Sequence, residues 1–182
     1  MSETRSGAET RRSLFERLSA LLLRAPEDRE QLLGLLREAH VRDLLDADAL
    51  SMIEGVMSVS EMTVRDIMIP RAQMDVVSIE DDPRDFIPLV LDTHHSRFPV
   101  IGENKDDVVG ILLAKELLNY YANPEAFDLR DTLRPAGFIP ESKRLNVLLR
   151  DFRANRNHIA IVVDEYGGVS GLVTIEDILE QI

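Results

Sequence analysis

The 182-residue sequence predicts an α/β protein made of two pseudo-symmetric β-α-β-β-α units behind a helical leader. Three observations carry that expectation: an internal repeat, short apolar runs bounded by turn residues, and leucine-rich stretches at helical spacing ahead of the repeat. The repeat is the most informative. Val64-Arg65-Asp66-Ile67-Met68-Ile69-Pro70 recurs as Leu129-Arg130-Asp131-Thr132-Leu133-Arg134-Pro135, 65 residues on. Ser96-Arg97-Phe98-Pro99-Val100-Ile101 recurs as Asn157-His158-Ile159-Ala160-Ile161-Val162, and Val109-Gly110-Ile111-Leu112 as Ser170-Gly171-Leu172-Val173, both 61 residues on. The offset falls by four, so the second copy has the shorter early loop.

Taken in order, residues 1–12 are polar and aperiodic and are expected to form a disordered tail. Residues 13–60 form the leader. Its first helix is expected to be capped by Ser13, to carry Leu14, Phe15, Leu18, Leu21 and Leu22 on one side, and to stop at Pro26. A second helix is expected over residues 27–39, with Leu32, Leu33, Leu35 and Leu36 against a charged face, and a third over 48–59. Acidic residues beside these stripes disfavour an anionic lipid surface and favour a core or an interface.

The first unit is assigned to residues 61–124 and the second to 125–182. In each the expected order is a short strand (75–79; 137–139), a helix (83–93; 145–155), a strand (98–101; 159–163), a strand (108–113; 169–174) and a helix (114–122; 175 onward). Runs such as Ile159-Ala160-Ile161-Val162-Val163 suit strands buried on both faces. One copy of roughly 60 residues is marginal alone, so the two are expected to share a core.

Composition narrows the function. A net charge of −12 argues against a grip on nucleic-acid backbone, so no nucleic-acid partner is expected. The absence of cysteine removes disulfides, thiolate metal sites and cysteine nucleophiles, and favours a cytoplasmic setting. No apolar run reaches the ~18–20 residues that span a bilayer, so no direct membrane insertion is expected. There is no Gly-x-Ser-x-Gly, P-loop or His-Glu-x-x-His, and no enzyme is expected. His94 and His95 lack partner ligands at metal-binding spacing, so no metal site is assigned.

The chemistry concentrates in Gly171-Leu172-Val173-Thr174-Ile175-Glu176-Asp177, which places a hydroxyl at a strand end and a carboxylate in the first turn of a helix. Two readings stay open: a helix cap, or a site where the helix start meets an anion and Asp177 accepts from a ribose diol. The first copy has Leu113 and Glu116 at the equivalent positions, so only the second copy carries the hydroxyl. Arg97 on its own reads better as one half of a surface ion pair.

Across about residues 64–182 the paired copies and the Gly-x-apolar-Thr-x-x-Asp phrase resemble a tandem pair of CBS domains, the Bateman module. More narrowly, residues 64–71, 96–101 and 164–180 are similar to the CorC/HlyC family linked to magnesium and cobalt efflux. That resemblance implies a regulatory module that senses an adenine nucleotide (AMP, ADP or ATP, with adenosine a further candidate) in the cleft between the copies, with Mg2+ able to accompany it. It implies that Thr174 faces phosphate, that Asp177 holds the ribose hydroxyls, and that Arg97, beside Ser96, reaches the phosphates. Ile67, Met68, Ile69, Phe98 and Pro99 would wall the adenine, with Pro70 closing that segment. In the related second cleft His158 replaces Arg97, so one good site and one weak or empty site are expected.

The family further implies a homodimer formed through the pair and a membrane ion-transport partner. Members carry a membrane domain before the pair or a transporter-associated domain after it. The second of these is expected to begin where this sequence stops, at Ile182. The competing reading is a dimerising interaction scaffold with a degenerate nucleotide cleft.

Overall fold

Asp28 starts the first described helix, α1 (Arg29–Val41), by accepting from the Gln31 N–H at 2.8 Å. The computed structural model describes residues 26–182, so the tail and the first leader helix expected ahead of them lie outside the described residues. No residue of α1 is buried; Leu32 and Leu35 are 40% and 47% exposed, while Leu33 and Leu36 are partly covered. The Asp46 carboxylate accepts from the Ala49 N–H at 2.7 Å and caps α2 (Ala47–Val59). Among the described residues no helix is long and apolar enough to cross a membrane.

The unit spanning Ile53–Ile182 contains the repeat. Its elements are β1 (Ile69–Pro70), β2 (Val77–Ser78), α3 (Pro83–Thr93), β3 (Arg97–Ile101), β4 (Val108–Leu113), α4 (Leu117–Ala122), α5 (Leu129–Thr132), β5 (Phe138–Pro140), α6 (Leu145–Asn155), β6 (Ile159–Val163), β7 (Val169–Thr174) and α7 (Ile175–Leu179). Each copy therefore runs β-α-β-β-α, as expected: β2-α3-β3-β4-α4 and β5-α6-β6-β7-α7. In each, the short strand lies parallel to the next, which pairs antiparallel with the last.

The copies exchange their lead segments. β1 precedes the first copy but pairs antiparallel with β7 of the second, Ile69 opposite Leu172 and Pro70 opposite Gly171. The equivalent residue ahead of the second copy, Arg134, bridges Ile111 of β4 through two backbone hydrogen bonds of 2.8 and 2.9 Å. Core packing follows the same exchange. Val64, fully buried, packs with Ile139, Leu145, Leu148 and Phe152, while Leu129 packs with Val77, Phe86, Phe98 and Leu112. A third cluster of Met74, Ile111, Ile159, Ile161, Val169 and Leu172 draws on both copies and is the shared core that two marginal repeats need.

Asp106, in the β3–β4 loop, clasps the copies together: it pairs with Arg71 and accepts from the Val169 N–H at 2.9 Å. The Arg71 guanidinium first, and the Val169 N–H second, hold its carboxyl below the usual aspartate range. A lowered carboxyl stabilises the fold above its ordinary titration range, near pH 4, and that contribution is lost as pH falls through the lowered value. Asp106→Asn is therefore expected to be less stable than the parent at pH 7. In denaturant titrations the difference should shrink below about pH 4; a gap independent of pH would contradict the clasp.

Candidate functional site

The two copies end their last strands differently, and the site follows from that difference. Leu113 offers no side-chain cap, so a 3-10 turn (Ala114–Glu116) intervenes before α4. At the equivalent point Thr174 caps α7 directly: its Oγ1 accepts from the Asp177 N–H at 3.2 Å, while its own N–H and hydroxyl donate to Asp177 Oδ2 at 2.6 and 2.8 Å. The capping arrangement is thus real. It does not exhaust Asp177, because an ionised carboxylate has about four acceptor positions and Thr174 uses those on one oxygen. Among the described residues nothing donates to Oδ1.

That carboxylate borders a cavity of about 300 Å³ between the copies. Of the residues expected at a site, Ile69, Ser96, Arg97, Thr174 and Asp177 line it together. Ile67 and Met68 instead pack against the core around Val64, because the exchange of lead segments carries them there. Phe98 and Pro99 are fully buried in the sheet, and Pro70 is exposed outside the cavity. Apolar wall comes from Ile69, Met74, Ile159 and Leu172. Ile159 stands directly opposite Thr174 across the β6–β7 pair, and Leu172 lies two residues before Thr174 on the same face.

The polar rim holds His95, whose Nε2 is 3.2 Å from Asp75, and His158, whose Nδ1 is 3.9 Å from Glu176. Among the described residues Arg97 is the one guanidinium lining the cavity, and it has no carboxylate partner there. The alternative of a simple surface ion pair therefore finds no described acid to make it. Among the described residues no group of three or more His, Cys, Asp or Glu is arranged to hold a metal ion.

Comparison with known proteins places this geometry. The profile of the N-terminal region of NMB0537 matches residues 24–59, and that of the CBS domain matches 64–123 and 130–182. The chain is 52% identical over 178 residues to the magnesium and cobalt efflux protein CorC of Vibrio cholerae, covering 97% of this chain and 61% of that protein. It thus spans under two thirds of the length of such curated relatives. A functionally unknown conserved protein domain from Neisseria meningitidis MC58 superposes with a TM-score of 0.78 at 56% identity, covering 82% of this chain and 97% of that one. The CBS domain of a bacterial CNNM/CorC family Mg2+ transporter in complex with ATP superposes with a TM-score of 0.67 at 38% identity, covering 72% and 94%. The paired repeat, its exchanged lead segments and these matches together make the chain a member of the CBS-domain family, a tandem CBS pair of the CorC type.

Proposed function

We propose that this CBS pair, with halves at residues 61–124 and 125–182, is a regulatory module that binds an adenine nucleotide in the cavity bordered by Arg97 and Asp177. The observation that carries it is Asp177. Its Oδ2 is fixed by the Thr174 cap, leaving Oδ1 to accept from the two hydroxyls of a ribose. Thr174 then acts chiefly by orienting Asp177, since its single hydroxyl proton is already donated. Arg97, always charged and without a described acid, suits the phosphates, and Ile69, Met74, Ile159 and Leu172 give an apolar wall to a cavity of the size small-molecule sites use. The ATP complex of the CNNM/CorC relative supports the same ligand class. Mg2+ would enter with the phosphates, keeping mostly water and phosphate ligands.

Because the cavity draws on both copies, a ligand there favours one arrangement of the pair by its differential affinity alone. A CorC-type chain would pass that preference, as a cytoplasmic homodimer, to a membrane ion-transport partner involved in magnesium or cobalt efflux. Calorimetry and thermal shift with AMP, ADP and ATP test the binding. At 100 times Kd a ligand stabilises by about 2.7 kcal/mol, a rise of about 5–10 °C at this size. No heat and no shift at millimolar nucleotide would remove the proposal.

The exposed Leu32 and Leu35 favour a second reading, a scaffold whose leader docks a partner. Under it, light scattering finds a concentration-dependent dimer that nucleotide leaves unchanged.

A further inference from the structure

The first cavity, the one bordered by Arg97 and Asp177, takes a wall from each copy. Ile159, Leu172 and Thr174 belong to the second copy, and Gln73, Met74 and Asp75 to the first. Its apolar part is one continuous patch, since Met74, Ile159 and Leu172 pack in the same core cluster and Ile69 lies against it. Gln73 and Asp75 flank the buried Met74 in the chain, so their polar groups border that patch.

Of the two, Asp75 is engaged, its carboxylate lying 3.2 Å from His95 Nε2. The Gln73 side chain is exposed to the cavity, and among the described residues its amide has no hydrogen-bond partner. Its backbone, by contrast, is braced. Lys105 Nζ donates to the carbonyls of Arg71 and Met74, at 3.0 Å each, across the 3-10 turn Arg71–Gln73, and the Arg71 side chain pairs with Asp106. A fixed turn thus brings a free amide to the cavity wall, as a preorganised contact requires.

An amide offers one donor and one acceptor side by side. Adenine answers with an acceptor at N7 and a donor at its 6-amino group, the two-point match that glutamine makes with adenine in a nucleic-acid groove. A 6-oxo purine places acceptors at both positions. We infer that Gln73 selects the base of the bound nucleotide: its Nε2 donates to N7, and its Oε1 accepts from the 6-amino group, of an adenine lying on the apolar patch. This role rests on the function proposed above and adds the residue that reads the base. The Asp75 carboxylate works in the same direction, because a second acceptor beside the patch repels a 6-oxo group.

The test is calorimetry of AMP, inosine monophosphate and 7-deaza-AMP, which lacks the N7 acceptor. It is run on the parent chain and on Gln73→Met, whose side chain has similar length but neither donor nor acceptor of an amide. Gln73 is exposed and its side chain is unpaired among the described residues, so an unchanged thermal midpoint shows that the variant is folded. The parent is expected to bind AMP about tenfold or more tighter than inosine monophosphate, and about fivefold or more tighter than 7-deaza-AMP. The variant should bind all three within about threefold of one another. A parent that binds AMP and inosine monophosphate alike, or AMP and 7-deaza-AMP alike, overturns the role of Gln73 and leaves the nucleotide function standing. So does a preference for AMP that survives in the variant, or a folded variant that binds none of the three. A parent that binds none of them overturns the function proposed above, and the base selection with it.

Discussion

Asp177→Ala is expected to weaken adenine-nucleotide binding by about 100-fold while leaving the chain folded. Two ribose hydroxyls donating to a carboxylate make charge-assisted hydrogen bonds, and losing them amounts to about 3 kcal/mol of binding. The fold loses less. Thr174 Oγ1 still accepts from the N–H at position 177, and only the return contacts from the Thr174 N–H and hydroxyl to the carboxylate disappear. Loss of a cap of this kind is about 1 kcal/mol, or about 2–4 °C in thermal midpoint for a chain of this size. Binding within about threefold of the parent would exclude Asp177 as the sugar-holding group. A collapse of the fold would mean that its structural role outweighs its ligand role.

Gly171→Ala is expected to damage fold and site together. A Cβ on Gly171 would overlap the carbonyl oxygen of Ile69 and stand 3.1 Å from its carbonyl carbon, both backbone atoms of the exchanged strand β1. Since these atoms cannot rotate away, β1 must lift from β7, opening the pair of Ile69 with Leu172 and removing the Ile69 wall of the first cavity. Overpacking against backbone falls at the severe end of such substitutions, about 3 kcal/mol, or about 6–12 °C. Nucleotide binding should weaken in parallel. Gly137→Ala is the control: nothing lies within 4 Å of the Cβ it would add, so stability should change by no more than about 0.5 kcal/mol. Equal midpoints for the two variants would contradict the close approach of β1 to β7.

The elements with long, regular patterns were legible without coordinates. α3 and α6 occupy the residues their apolar spacing marks, and β6 and β7 follow the apolar runs on either side of Asp164-Glu165-Tyr166-Gly167-Gly168. The exchange of lead segments was not legible. β1 is two residues long, too short for any periodicity, and its partner is chosen by the tertiary fit of Gly171 against its backbone. This is also why Ile67 and Met68, which the family resemblance sets against the adenine, pack in the second copy's core.

Of the residues that the family resemblance marks, Ile69, Ser96, Arg97, Thr174 and Asp177 line one cavity, whereas most of the apolar walls it marks lie elsewhere. Phe98 and Pro99 are buried inside β3, whose first residue, Arg97, reaches the cavity edge. The wall residues Leu172 and Ile159 carried a usable signal: Leu172 shares a strand face with Thr174, and Ile159 occupies the repeat position equivalent to Phe98. Met74, Gln73 and Asp75 enter the cavity from the turn after β1, where no pattern in the sequence sets direction. In the related second cleft, Arg134 and Arg156 were not marked in advance, because they lie 22 residues apart and line one cavity only in the fold.

The most direct test is a calorimetric comparison of ATP with its 2′-deoxy analogue on the parent chain and on Asp177→Ala. If the Asp177 carboxylate holds the sugar, the parent should bind ATP about tenfold or more tighter than the analogue, and the variant should bind both alike. Equal affinities on the parent, or an undiminished preference in the variant, would contradict the account.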